Sequence, residues 1–208
     1  MSGEHLRRYT DLPAVICLLT ERKLTLLDPR SWDDSNDSHY LALYREKKKL
    51  TSVLALCFTQ ADEKYHHWRV FAPGSGGVCV RFTRADVLKA LKTQSGLRMG
   101  SVRYLKLAAF RRETRKIQHL PFLKRYAFED EDEFRVIYES KMTRASRLDI
   151  DIPLSSIERI ALSPWIHPAL YRHVKQMLGS IRGCSGLNIV RSTLINNEEW
   201  KALGEDST

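Results

Sequence analysis

The chain has 208 residues, of which 43% are hydrophobic and 28% are charged, which predicts one globular domain over residues 1–208 and excludes a disordered chain. Lys and Arg number 34 against 25 Asp and Glu, and the resulting formal net charge of +9 favours a polyanionic or phosphate-bearing partner. Because the apolar runs are too short to cross a bilayer and the N-terminus lacks signal-peptide organisation, we expect a cytoplasmic protein without membrane association.

The first half of the chain is predicted to alternate short strands with helices. Thr10 or Asp11 is expected to cap a helix that carries Pro13 in its first turn, where the missing N–H costs little. Further helices are predicted at residues 38–49 and 84–91. The predicted strands span residues 5–10, 24–27, 52–59 and 78–82, and the apolar run at 52–59 is typical of a strand that is buried on both faces.

The second half continues this irregular alternation. A basic helix is predicted to follow the strand at 102–107 and to reach about residue 119, and two more helices lie at 168–178 and around Trp200. The remaining predicted strands span residues 134–138, 148–152, 157–162 and 187–191. The irregular spacing favours an α+β (mixed α/β) single domain with short, mainly antiparallel strands in a split sheet, rather than a regular doubly wound repeat.

Two features bear on metal binding. Residues 28–37 are dense in oxygen ligands, but they lack the glycine and terminal glutamate of a calcium-binding EF-hand loop, and Asx-turns with helix capping explain them more simply. The widely spaced cysteines form no C-x-x-C pair, which argues against structural zinc and a disulfide framework. They are Cys17, Cys57, Cys79 and Cys184. We therefore expect no metal.

Most of the charge excess lies in one segment, residues 98–125, called here the basic segment. It holds nine cations against the single acid Glu113, a local surplus of 9 − 1 = +8. Four cations are expected to cluster around one side of the predicted helix and to contact nucleic acid, namely Arg111, Arg112, Arg115 and Lys116. The alternative is a solvated surface that pairs with the acidic run immediately after it.

That acidic run comprises five consecutive acids at residues 129–133. Glu133 differs from the others because it opens a predicted strand, so the sheet would fix the orientation of its side chain. A carboxylate held in this way can act as a general base, or can orient a sugar hydroxyl and stabilise an oxocarbenium ion. The alternative is a surface carboxylate that pairs with Arg135 or with the basic segment.

Several short motifs resemble a widespread bacterial family of unknown function. The match includes R-Y-T at 8–10, W-D-D-S-N-D at 32–37, C-F-T at 57–59, H-W-R-V-F-A at 67–72, G-G-V-C-V-R-F at 76–82 and E-D-E-F-R-V at 131–136. The resemblance covers most of the chain. Phe71 stands where that family often has tyrosine, and membership of the family implies no particular reaction.

A second resemblance, to DNA-targeting ADP-ribosyltransferase toxins, does imply a reaction. Those enzymes begin with a strand that carries His or Arg and a Tyr, which correspond to Arg8 and Tyr9 here. Near their end, an A-E-F-L-V strand carries the catalytic glutamate and is followed by an I-x-x-I strand. The segments D-E-F-R-V at 132–136 and I-E-R-I at 157–160 stand in the corresponding order, although Arg135 replaces the usual apolar residue.

The second resemblance implies an ADP-ribosyltransferase-like fold and NAD as substrate, with Glu133 as the catalytic residue. Arg8 would hold a phosphate or the nicotinamide ribose, and Tyr9 would stack on nicotinamide. Trp68 and Arg81 are expected as further NAD contacts. The acceptor would be nucleic acid, in phage defence or a toxin–antitoxin system. The alternatives are a non-catalytic nucleic-acid-binding or defence-associated module, and an antitoxin-like interaction protein.

Overall fold

The structure, a computed structural model, describes residues 4–114 and 116–205. The described strands are β1 (His5–Asp11), β2 (Lys23–Leu27), β3 (Ser52–Thr59), β4 (Gly77–Thr83), β5 (Leu97–Ser101), β6 (Arg103–Leu105), β7 (Leu123–Arg125), β8 (Glu133–Ser140), β9 (Arg147–Asp151), β10 (Ile157–Leu162) and β11 (Ile189–Arg191). The described helices are α1 (Leu12–Glu21), α2 (Ser35–Lys47), α3 (Tyr65–Phe71), α4 (Arg84–Leu91), α5 (Leu107–Arg112), α6 (Pro168–Ser180) and α7 (Glu198–Glu205). None of these helices is long and apolar enough to span a membrane.

The chain divides into two compact units, each assembled from separate stretches of sequence. Unit 1 takes in the residues up to Leu6, Lys23–Ala61 and Arg84–Ile152, and unit 2 takes in Arg7–Arg22, Asp62–Thr83 and the residues from Pro153 onward.

Unit 1 is built on antiparallel strands in the order β5–β8–β3–β2–β9. The β3–β8 ladder runs without interruption from Ser52 opposite Ser140 to Thr59 opposite Glu133. Seven of the eight residues of β3 are buried, as its continuous apolar sequence predicted. Helix α2 packs Leu41 and Tyr44 into a core with the β3 residues Val53 and Ala55. Strands β6 and β7 pair in parallel in a separate two-stranded sheet.

Unit 2 contains the strands β11–β10–β4–β1 in that order, with β1 contributing its residues from Arg7 onward. Strand β10 runs antiparallel to β4 and parallel to β11. Helix α3 inserts Trp68 into a core with Cys79 on β4 and Ala161 on β10, which are partners in the β4–β10 register. This packing fixes one face of α3 against the sheet.

The predicted mixed α+β class with short, mainly antiparallel strands is confirmed. The predicted cap of α1 is also confirmed, because the Asp11 carboxylate accepts a hydrogen bond from the N–H of Ala14. The predicted basic helix is too long: α5 ends at Arg112, and the backbone is extended at Glu113, whose carboxylate pairs with Arg103. One domain over residues 1–208 stays a prediction.

At Gly77, the first residue of β4, the backbone lies close to the backbone of Ala72. A Cβ at Gly77 would lie 2.1 Å from the carbonyl oxygen of Ala72. We expect Gly77→Ala to lower the free energy of unfolding by about 1–3 kcal/mol, since backbone atoms must move to relieve the overlap. In the matched control, Gly76→Ala, the new Cβ meets no described atom within 4 Å. Equal urea midpoints for the two variants would contradict this expectation.

Candidate functional site

Five charged side chains meet in the interior of unit 1, and we call them the buried charge cluster. They are Asp37 on α2, Lys124 on β7, Glu131 in the turn before β8, and Glu133 and Arg135 on β8. Arg135 is fully buried, while Asp37 is 2% and Glu133 is 5% exposed. Charged groups are seldom buried to this extent unless they are paired, so their partners determine what the cluster can do.

Arg135 is the centre of the cluster. Its Nε and Nη2 donate to the two carboxylate oxygens of Glu133 at 2.6 and 2.8 Å. Its Nη1 and Nη2 donate to the two carboxylate oxygens of Asp37 at 2.7 and 2.6 Å, and Nη1 also donates to the carbonyl of Pro121 at 3.0 Å. One guanidinium therefore holds two carboxylates, each through a bidentate contact.

Local sequence explains how these side chains come to face inward. Glu133 and Arg135 are two residues apart on β8, and side chains at that spacing point to the same face of a strand. Asp132, just before β8, has a left-handed backbone with φ of 41°. Asp37 lies in the first turn of α2, where the Asp34 carboxylate caps the helix by accepting from the N–H groups of Asn36 and Asp37.

The cluster carries more negative than positive charge, because three carboxylates share two cations. Burial raises the pKa of Asp37 above its ordinary value, although Arg135 opposes the shift. Burial also raises the pKa of Glu131, against the effect of Lys124, whose Nζ lies 2.7 Å from its carboxylate. Burial alone would raise the pKa of Glu133 as well, but Arg135 and then Lys124 hold it below its ordinary value. Glu133 is therefore ionised at neutral pH although it is buried.

Two neutral groups complete the surroundings of Glu133. Its backbone N–H donates to the hydroxyl of Tyr104 at 2.8 Å, and the Cys57 thiol hydrogen-bonds its carboxylate. Burial raises the pKa of the Cys57 thiol well above its ordinary value, and the nearby Glu133 charge raises it further. Cys57 is therefore a protonated donor to Glu133 and not an activated nucleophile.

A second group of polar and aromatic side chains lies in unit 2. The Tyr9 ring contacts the Trp68 ring edge-on, with 5.2 Å between centroids and an angle of 86° between planes. The indole Nε1 of Trp68 donates to Glu63 at 2.8 Å, and Glu63 also accepts a hydrogen bond from the buried hydroxyl of Ser192. Tyr9 and Trp68, both predicted as NAD contacts, are thus in direct contact with each other.

The other two predicted NAD contacts lie on neighbouring strands of unit 2. Arg8 is half-buried on β1. Arg81 on β4 donates through Nη2 to Glu158 at 2.5 Å, while its buried Nε has no hydrogen-bond partner among the described residues. The Arg81 side chain as a whole is 27% exposed.

The basic segment divides into paired and exposed cations. Arg98 donates to the hydroxyl of Tyr44 and to the carbonyl of Gln118, and Lys124 belongs to the buried charge cluster. Arg111 and Arg112 are exposed at the end of α5. Lys116 is exposed beyond that helix, so its predicted place on one helical face with them is wrong. The predicted contact at Arg115 lies outside the described residues.

The sequence singles out Glu133 as a candidate, which stays a prediction, and it does not reveal most of the partners of this residue. Pairing of Glu133 with Arg135 had been predicted only for a surface carboxylate, whereas both residues are buried. The sequence signal was two opposite charges at positions i and i+2 of an apolar strand. Asp37 had been attributed to a polar turn, and Asp34 and Asp28 do cap the segments that follow them. Among the described residues, no group of three or more His, Cys, Asp or Glu side chains is arranged to hold a metal ion.

Comparison with known proteins returned similarities at the level of structure. No family model and no curated protein sequence matches the chain. The chain is similar to DarT of Thermus sp. 2.9 in complex with ADP-ribosylated ssDNA, with 12% identity, a TM-score of 0.49, and coverage of 92% of this chain and 95% of that chain. The chain is also similar, with 11% identity and over 92% of its length, to two further structures of Thermus sp. 2.9 DarT. The complex with NAD⁺ has a TM-score of 0.47 and is covered to 96%, and the complex with carba-NAD⁺ has a TM-score of 0.48 and is covered to 97%.

Proposed function

We propose that this protein is an ADP-ribosyltransferase that breaks the bond between nicotinamide and ribose in NAD, with Glu133 as its catalytic residue. The observation that carries the proposal is the carboxylate of Glu133, held by two hydrogen bonds from Arg135 in a buried cluster of three carboxylates and two cations. Departure of nicotinamide leaves positive charge on the ribose, in an oxocarbenium-like transition state. A fixed, buried carboxylate stabilises that charge without having to reorganise.

Glu133 retains acceptor capacity for a substrate hydrogen bond. An ionised carboxylate has about four acceptor sites on its two oxygens. Arg135 uses one on each oxygen, and the Cys57 thiol uses a further one. The remaining site would accept a ribose hydroxyl. This hydrogen bond would orient the sugar and strengthen as positive charge develops.

Three of the four predicted NAD contacts in unit 2 are proposed to bind NAD directly, and the fourth is proposed to act indirectly. Arg81 would contact a phosphate of NAD through the exposed part of its guanidinium, and Arg8 would hold a second anionic group or the nicotinamide ribose. Tyr9 would stack on nicotinamide. Trp68 is fully buried, so we propose that it acts by holding the Tyr9 ring in place and not by touching NAD.

Nucleic acid is the proposed acceptor, and the exposed cations Arg111, Arg112 and Lys116 would contact its phosphates. The same exposed charge supports the second candidate, a non-catalytic nucleic-acid-binding module. The two candidates differ in one respect that is simple to measure. The enzyme releases nicotinamide, whereas the binding module shows only an affinity for nucleic acid that falls steeply with salt.

The test is incubation of the protein with NAD labelled in its adenylate part, together with single-stranded DNA or RNA. We expect nicotinamide release and label transfer by the wild type, and a loss of about 10²–10³-fold in Glu133→Gln, which keeps the shape but removes the charge. Glu129→Gln, an exposed acid of the same run, is the matched control and should retain activity. Circular dichroism establishes that each variant is folded. A folded wild type without turnover would overturn the proposal.

A further inference from the structure

Arg135 is shared between two carboxylates that play different parts. Asp37 comes from the first turn of α2 and Glu133 from the first residue of β8, and both accept bidentate hydrogen bonds from the same guanidinium. Asp37 is almost completely buried. Glu133 is nearly as buried, so burial does not separate the two carboxylates, and we assign the hold on Arg135 to Asp37 because the proposed function assigns the substrate contact to Glu133.

We propose that Asp37 is a positioning residue, which anchors Arg135 so that Glu133 keeps its orientation and part of its charge for the substrate. This inference rests on the proposed function, because it concerns the same carboxylate. Without Asp37, the guanidinium would have one carboxylate partner instead of two. Arg135 would then neutralise Glu133 more completely and could also move away from its present place, and both changes weaken the stabilisation of a cationic transition state.

Lys124 supports this division of roles. Its Nζ lies 2.7 Å from Glu131 but 3.7 Å from both Asp37 and Glu133. Lys124 is thus paired mainly with Glu131, and its direct hold on Glu133 is weaker than that of Arg135. The orientation of Glu133 depends chiefly on Arg135, which in turn is held by Asp37 and the Pro121 carbonyl.

The pKa of Glu133 provides a readout that would not change if Asp37 served only to stabilise the fold. The charged groups facing it are Asp37, Glu131, Lys124 and Arg135, and its neutral neighbours are Tyr104 and Cys57. Removal of the Asp37 charge takes away a repulsive neighbour and leaves Arg135 to Glu133 alone. Both changes favour the ionised form, so the pKa of Glu133 should fall in Asp37→Asn.

The experiment compares wild type and Asp37→Asn for nicotinamide release from NAD across pH 3–8, a range that extends below the ordinary pKa of a glutamate. We expect kcat to fall on the order of 10- to 100-fold with little change in KM. We also expect the acid limb of the kcat profile to move to lower pH. Asp28→Asn is the matched control, since Asp28 caps the preceding turn and pairs with Arg30 outside the cluster. Asp28→Asn should leave kcat and the position of the acid limb unchanged.

A second variant covers the case in which Asp37→Asn does not fold. Arg135→Lys keeps the positive charge but lacks the fork that reaches two carboxylates, so it should also lower kcat much more than it changes KM. Wild-type kcat and an unmoved acid limb in a folded Asp37→Asn variant would overturn the inference while the proposed function stands. Absence of turnover in the wild type would overturn both.

Discussion

Arg135→Met is expected to lower the free energy of unfolding by about 3–5 kcal/mol, because it leaves the Asp37 and Glu133 carboxylates buried without their shared cation. Methionine occupies a similar length of side chain, so little of the loss should come from an empty cavity. Urea unfolding at pH 7 measures the change. The matched control is Arg81→Met, since the Arg81–Glu158 pair is partly exposed and should contribute only about 0–1 kcal/mol.

The effect of Arg135→Met should depend on pH in a definite direction. In the wild type, Arg135 helps to hold the pKa of Glu133 below its ordinary value of 4.5. Stabilisation from this group is therefore fully present above about pH 4.5 and is lost as pH falls through the lowered pKa. Protonated carboxyls need no counter-charge, so the two proteins should converge in stability at low pH. A constant difference from pH 3 to pH 7 would contradict this account.

Trp68→Ala is also expected to have a large effect, and should lower the free energy of unfolding by about 3–5 kcal/mol. Trp68 is fully buried, and its removal leaves a cavity beside Tyr9, Cys79 and Ala161. It also removes the indole donor to Glu63. Thermal unfolding measures the change, which corresponds to a fall in Tm of roughly 6–20 °C for a chain of this length.

Trp200→Ala is the control for Trp68→Ala. Trp200 is 79% exposed on α7, so its removal should change the free energy of unfolding by no more than about 0.5 kcal/mol. If the two tryptophan variants lose equal stability, the packing of α3 against the sheet of unit 2 is not as described.

The elements that the sequence predicted well are those determined by local patterns. The apolar run of β3 gave its bounds, and the side chain of Asp11 with Pro13 gave the start of α1. The basic helix was overextended because like charges at helical spacing say nothing about where a helix ends. The helix ends at Arg112, and Glu113, whose backbone is extended, pairs with Arg103.

The buried charge cluster could be predicted only in part, because its members meet through long-range packing. Glu133 and Arg135 share a face of β8, which the sequence does show. Asp37 lies 98 residues before Arg135, and only the packing of α2 within unit 1 brings them together. The acidic run also gave no local sign that Glu131 and Glu133 are buried while the acids between and before them are exposed.

That separation along the chain has a consequence during synthesis. Asp37 leaves the ribosome long before Arg135 does, and a growing chain that ends before β8 contains neither Glu133 nor its cation. The proposed reaction centre therefore cannot exist in a truncated product. Contacts between residues so far apart also form late compared with local helices. Newly made chains can therefore assemble the buried charge cluster only after unit 1 has completed its folding.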